Sequence, residues 1–441
     1  MFSKKDLMKL IIPLIIEQIL AVTIGLVDSM MVANVGEAAV SGVSLVDSIN
    51  ILLIGLFGAM STGGSVVAAH LLGKKDEKSA CSAGEQLIAS ILILSVIVMT
   101  IALVFGRGTL VLLYGDVSAD VMANARIYFL YSALSYPMLA VYNACAALFR
   151  TMGNSKVSMR ISLVMNIIHV ILNVILIFGL GMGVAGAAIS TLISRAFAAI
   201  TVFILLRNTK LLIHIGRIRG FRLDLNMIKK ILHIGIPNGL ENSVFQIGKI
   251  LVQGIIAGLG TSAITANAVA GTIGSFGVLP GSAIALALIT VVGQCMGAGD
   301  YEGIKYYTKR LLKYSFLIII GLNLLIVLVL PLILKLYGLS EETSTLARQL
   351  IIYHCILSSL IWPLSFALPS ALRATYDVKF TMWISLVSMW VWRIAFSYVL
   401  AIYLGMGVLG VWIAMTIDWL FRSICFVVRF KKERYRSIPL P

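Results

Sequence analysis

Apolar residues run along this chain in blocks much longer than a soluble helix needs, separated by short polar stretches that carry Gly, Pro or charge. About 20 consecutive apolar residues cross the hydrocarbon of a bilayer as a helix, whereas a membrane barrel shows short strands of alternating polarity. The blocks therefore predict an all-α integral membrane protein. Twelve transmembrane helices are expected, at about 7–33, 44–72, 86–113, 125–149, 157–179, 183–206, 228–258, 264–296, 309–336, 344–371, 379–403 and 407–430. Tight glycine breaks, Gly179-Leu-Gly-Met-Gly183 and Gly405-Met-Gly407, separate neighbouring spans.

The polar residues inside these blocks are few, so each needs a reason. The first span, DLMKLIIPLIIEQILAVTIGLVDSMMVAN from Asp6 to Asn34, holds Glu17 and Asp28. A charge at the centre of a membrane helix costs about 2.5–3.5 kcal/mol on insertion scales, so both acids should face protein or a water-filled cavity. Eleven residues make three turns to within about 20°, which puts the two on one stripe. Span 5 adds His169 and Asn173 one turn apart, span 6 adds Thr191, and span 2 adds Asp47 and Asn50 near its mouth. Four helices thus bring polar groups to similar depth. Asn, Thr and His often serve only to bond neighbouring helices. Asp28 stands apart, because an intramembrane carboxylate needs a cation or a proton to be tolerated, and His169 beside it is a residue type that titrates near neutral pH. Asp47 is expected to lie close to water.

Composition agrees: 441 residues are 60% hydrophobic and 12% charged, with mean hydropathy +1.00. The formal charge of +16 would suggest nucleic acid in a soluble protein, but its placement argues otherwise. Of 35 Lys and Arg residues, 27 lie in the N-terminal tail, the even-numbered connections and the C-terminal tail. Four (Arg107, Arg126, Lys335, Arg348) mark odd-numbered connections, and four (Arg195, Lys249, Arg393, Arg422) lie within spans. That bias places both termini in the cytoplasm, of a protein expected in the plasma or inner membrane with no nucleic-acid partner. The basic N-terminus leads into a run too long for a signal peptide, so it reads as a retained first span. Five scattered cysteines lack any CxxC pair, and five histidines lack HExxH spacing. No cofactor or metal centre is expected.

The chain repeats itself. Pro13, Glu17, Gly36 and Asp76 recur 224 positions on as Pro237, Glu241, Gly260 and Asp300. Ile161-Ser-Leu-Val164 recurs as Ile384-Ser-Leu-Val387, and Gly181-Met-Gly-Val184 as Gly405-Met-Gly-Val408. This predicts two pseudo-symmetric six-helix bundles, 1–206 and 228–441 with its basic tail, joined by a cytoplasmic linker at 207–227. An even number of spans per half makes the halves parallel, an arrangement common in secondary transporters with sites near the repeat interface. Span 7 carries a polar face, Asn238, Asn242, Gln246, Lys249 and Gln253, with Glu241 beside it. It reads either as a cavity wall or as a network in which Lys249 neutralises an acid such as Glu241. Asp418 and Arg422, four apart on span 12, are expected to pair with each other.

The Pro13…Asp28 segment ending in Val35-Gly36, Gly73-Lys-Lys-Asp76, Arg150-Thr-Met-Gly-Asn154 and Gly181-Met-Gly-Val-Ala-Gly-Ala-Ala188 resemble the multidrug and toxic compound extrusion (MATE) transporters. The resemblance covers essentially the whole chain. It implies a V-shaped pair of bundles, alternating access, and export of amphipathic, often cationic, small molecules against an inward flow of protons or sodium. In one branch of the family an Asp on helix 1 works with Asn and Asp on helix 5 and Thr on helix 6. Asp28 and Thr191 match that pattern, while His169 and Asn173 stand where Asn and Asp are expected. Losing one carboxylate favours protons over a sodium ion at Asp28. The substrate cavity is expected to include Glu17, Asp47, Asn50, Glu241, Asn242, Gln246, Lys249 and Gln253. A monomer in the lipid bilayer, with small-molecule substrates as its partners, is the expected working unit. A flippase for lipid-linked saccharides is the alternative, favoured by extra spans and by cavity cations such as Lys249, Arg195 and Arg393. No GxSxG, HExxH or facing aspartate pair supports an enzyme.

Overall fold

A computed structural model describes residues 2–115, 117–216 and 222–437 of the chain; part of the expected linker, 217–221, lies outside the described residues. The repeated residues explain the architecture one by one. Pro13 and Pro237 lie inside α1 (Lys4–Ala33) and α7 (Leu225–Ala257). Gly36 and Gly260 cap α2 (Glu37–Gly73) and α8 (Thr261–Gly297) at φ +138° and +99°, backbone that a side chain rarely allows. Asp76 and Asp300 are the N-caps of α3 (Glu77–Tyr114) and α9 (Tyr301–Tyr337), accepting from the backbone N–H of Ser79 and of Gly303. The Ser79 bond holds the Asp76 carboxyl below the usual carboxylate range.

The remaining helices are α4 (Ala119–Thr151), α5 (Ser155–Gly179), α6 (Gly183–Leu206), α10 (Glu341–Ala374), α11 (Val378–Tyr403) and α12 (Gly407–Lys431). The twelve run 24 to 38 residues each, and eleven are long and apolar enough to cross a membrane on composition alone. The twelfth, α7, has the length but carries the polar face. The protein is a multi-pass membrane protein of twelve transmembrane helices. Outward positions such as Leu112, Leu328, Leu336 and Tyr403 are more than three-quarters exposed, a surface suited to lipid rather than water.

Contacts divide the chain into two compact units, Phe2–Gly239 and Leu240 onward. The cut falls inside α7. Its first half packs tightly on α2, where a Cβ added at Gly63 would meet the Ile231 carbonyl at 2.5 Å. In the first unit, Val32, Val43, Val46, Leu110, Phe129 and Val184 form an apolar cluster at the end of α1 that carries Asp28.

The last turns of α5 and α11 widen to π-helix at Val174–Gly179 and Val399–Tyr403, followed by the glycine breaks. Gly186 and Gly410 let α6 and α12 approach these turns, since an added Cβ would lie 3.0 Å and 2.8 Å from the carbonyl carbons of Leu176 and Leu400. Periodicity in sequence does not announce a π-turn.

Candidate ion-coupling site

Asp28 sits in the last third of α1, half-buried, with its side chain about one-fifth exposed. Its Oδ1 accepts from the Asn173 side-chain amide at 2.7 Å and lies 3.0 Å from His169 Nε2. His169 and Asn173 share a face because they are four apart on α5, and their side chains approach to 3.1 Å. One proton fits between Asp28 and His169. Either His169 Nε2–H donates to the carboxylate, or a protonated Asp28 donates to a bare Nε2. The opposite ring nitrogen, Nδ1, lies 3.5 Å from the Ser194 hydroxyl on α6.

A second acid adjoins the first. Asp47 is half-buried, within electrostatic reach of Asp28 and Arg195, and accepts from the Asn50 amide at 3.3 Å and from the Tyr128 hydroxyl. Asn50 in turn accepts from Tyr136 at 2.9 Å. Asp47 is therefore part of this polar cluster rather than a residue at the water's edge, because α4 supplies tyrosines that cover it. Arg195 donates to Ser135 at 2.7 Å and reaches both acids electrostatically without an ion pair to either. Thr191 is buried close by in sequence, but its hydroxyl donates to the Ala187 carbonyl of its own helix.

Sequence reasoning missed Ser194, Tyr128 and the placement of Arg195. A signal existed for two of them: Ser194 and Arg195 lie three and four positions after Thr191, on the same side of a helix. Tyr128 had none, since a tyrosine among apolar residues reads as core.

The other intramembrane acids have arginine partners. Glu17 meets Arg150 at 3.1 Å and accepts from Ser158 at 2.8 Å. Its repeat mate Glu241 meets Arg373 at 2.8 Å and accepts from Ser385 at 2.7 Å. Lys249 is thus not the partner of Glu241; its ammonium lies 5.1 Å from the Phe245 ring centroid instead. Asp418 and Arg422 do not pair either. Asp418 accepts from Ser388 and lies 3.8 Å from Arg393, while Arg422 reaches 3.7 Å from Glu241. The reason is stacking: the Arg422 guanidinium lies 4.7 Å from the Phe366 ring centroid, which draws it away from its helix neighbour.

The second unit contains a cavity of about 380 Å³. Lys249 and Gln253 of the α7 polar face line it, with Gln253 accepting from Asn267 at 3.1 Å; Glu241, Asn242 and Gln246 do not. Asn238 is buried. Among the described residues no group of three or more His, Cys, Asp or Glu could hold a metal ion.

The chain is 26% identical over 426 residues to the uncharacterized transporter YisQ of Bacillus subtilis, covering 96% of this chain and 92% of that one. It is 24% identical to a probable multidrug resistance protein NorM of Thermotoga maritima, covering 98% and 93%. Its fold matches an outward-facing multidrug resistance MATE family transporter with TM-score 0.89 at 20% identity, over 98% of this chain and 96% of that chain. A sequence model of the MatE family matches twice, over residues 13–175 and 237–399, two segments that begin 224 positions apart as the internal repeat does. With both halves matched, the chain belongs to the MatE family, the MATE transporters.

Proposed function

We propose that the protein is an antiporter that exports amphipathic small molecules in exchange for protons, by alternating access, with Asp28 as the group that loads and releases the proton. One contrast carries this reading. Glu17, Glu241 and Asp418 each have an arginine within 4 Å, whereas Asp28, like its neighbour Asp47, has none; among the described residues Asp28 meets a histidine and an amide, and a fifth of its side chain is exposed. A carboxylate fixed to arginine has its charge settled permanently; one facing histidine can settle it with a mobile proton. Moving that charge through a 100 mV potential is worth about 2.3 kcal/mol per charge, a driving force of the right kind.

Sodium is the competing ion. The neutral donors around Asp28 and the fixed charge of Arg195 nearby support the proton, because the arginine already supplies part of the positive charge a sodium ion would bring. Asn173, Thr191 and Asp47 are proposed to shape the site around that proton. The family membership and the relatives named as multidrug resistance proteins support export of small molecules. Both ends are proposed to face the cytoplasm of a cell-membrane protein, from the lysine and arginine bias. Of the two features that favour a flippase for lipid-linked saccharides, the described residues supply twelve helices rather than more, while Lys249 and Arg393 do line the cavity of the second unit.

Purified protein in liposomes, preloaded with a fluorescent amphipath, tests the reading. Efflux should follow an imposed pH gradient and ignore an imposed sodium gradient. Efflux driven by sodium alone would overturn the choice of ion, and no efflux under either would overturn antiport.

A further inference from the structure

The cavity in the second unit has a polarity opposite to that of the Asp28 site. Two cations line it, Lys249 and Arg393, and its described lining residues include no carboxylate. Asp418 is only 1% exposed and lies behind Arg393. Across the polar interior of this unit, Lys249, Arg373, Arg393 and Arg422 face Glu241 and Asp418, two carboxylates for four cations. Arg373 and Arg422 share Glu241, and Asp418 reaches Arg393 at the loose distance of 3.8 Å. Lys249 has no described carboxylate within ion-pair distance and rests against Phe245.

Uncompensated cations in an apolar setting are costly, and the hydrogen-bond inventory points the same way. Arg393, with a side chain 11% exposed, turns Nη1 toward Asp418 Oδ2 at 3.8 Å, while its Nε and the buried Trp419 Nε1 have no hydrogen-bond partner among the described residues. These are all donors. The rest of the wall is aromatic: Trp362 stacks on Phe366 at 5.1 Å, and His354 packs edge-on against Trp412 at 5.4 Å. Spare donors, two positive heads and flat apolar walls suit a ligand with an anionic head and an aromatic or hydrocarbon body.

We infer that this cavity is a binding site for amphipathic organic anions, with Lys249 and Arg393 taking the carboxylate, sulfonate or phosphate head and the aromatic wall taking the body. This deepens the export reading, on which it rests for the direction of transport, and replaces the family's expectation of cationic substrates for this part of the chain. Binding itself needs no gradient, so its failure and a failure of antiport are separate results.

The test uses the whole protein in phosphatidylcholine nanodiscs, following tryptophan fluorescence as three probes with the same ring are added: 1-naphthoate, neutral 1-naphthalenemethanol and cationic 1-naphthylmethylammonium. Naphthoate should bind at least about tenfold tighter than the alcohol and the amine weakest of all. Lys249→Gln should lower naphthoate affinity about tenfold and leave the alcohol unchanged, and Lys249→Arg should restore it. Equal binding of the three probes, tighter binding of the amine, or a Lys249→Gln protein that keeps its preference for the anion would overturn the proposal. Adding phosphatidylglycerol separates the two sources of such a head group. Competition with naphthoate marks a lipid as the occupant, and absence of competition a soluble anion; both keep the site.

Discussion

The Asn173 amide donates to Asp28 over 2.7 Å while its own carbonyl oxygen, buried, has no hydrogen-bond partner among the described residues. An orphaned buried acceptor costs about 1–3 kcal/mol. In this arrangement Asp28 serves Asn173 as an acceptor. Once Asp28 takes a proton, rotating the amide by half a turn lets its oxygen accept from the acid, so the same two residues suit both states.

Asp28→Asn removes the proton site while keeping size and hydrogen bonding. Gradient-driven efflux from liposomes should fall to background, with the protein still inserted and monodisperse in detergent. Efflux at the wild-type rate would remove Asp28 from the mechanism.

His169→Asn places here the residue type that the resemblance to one branch of the family leads one to expect. Transport should persist, but its dependence on pH between about 5 and 8, where histidine gains and loses charge, should flatten. The reason lies in the pair: His169 Nε2 faces Asp28 Oδ1 at 3.0 Å, and asparagine puts no ionisable group there. Efflux rates measured at several pH values with a constant gradient decide it, and an unchanged profile would make His169 a packing residue.

How much of this was legible beforehand depends on the length scale of the signal. The twelve spans and the repeat are carried by long apolar blocks and by residues such as Gly36 and Asp76 that cap helices, so they could be read directly. Asp28, His169 and Asn173 could be grouped from depth alone because a carboxylate in an apolar run demands partners. Which arginine serves which acid could not be read. Glu17 and Arg150 are 133 residues apart, and the Asp418–Arg422 spacing suggested a local pair that the Phe366 ring defeats. The π-turn after Asn173 was equally silent, since it changes the backbone without changing the pattern of side chains.

Glu17 and Arg150 form a largely buried pair, with side chains 11% and 15% exposed. Arg150→Met should destabilise the protein by about 3–5 kcal/mol, because it strands a buried charge, whereas adding Glu17→Gln should recover most of the loss. Apparent melting temperature in detergent reads this directly. The double variant should still transport under a pH gradient, which Asp28→Asn does not; loss of transport in a stable double variant would move Glu17 into the coupling machinery.

Gly186 and Gly410 occupy equivalent places but not equal space. An alanine gains about 1 kcal/mol of helix propensity over glycine, and overpacking costs about 1–3 kcal/mol. At Gly186 the nearest backbone is 3.0 Å from the new methyl, so the two nearly cancel; at Gly410 it is 2.8 Å and repulsion wins. Gly410→Ala should therefore lower the apparent melting temperature clearly and Gly186→Ala hardly at all. The opposite order would mean that the π-turn of α5 is the stiffer of the two.

On the proton reading, Arg195 should set whether the cluster has room for a metal ion's charge. Its guanidinium, held by Ser135, reaches Asp47 and Asp28 electrostatically without pairing to either. Asp28 and Asp47 together carry two negative charges when ionised, and the arginine cancels one, leaving about one to be met by a proton. Arg195→Gln removes that contribution while keeping a donor for Ser135, so the vacated charge must come from solution. The variant should gain a sodium response: proton-driven efflux slowed several-fold by added sodium chloride at constant ionic strength, against choline chloride as control, where the wild type shows none. A variant as indifferent to sodium as the wild type would mean that Arg195 does not set ion choice and that His169 and Asn173 exclude sodium by themselves.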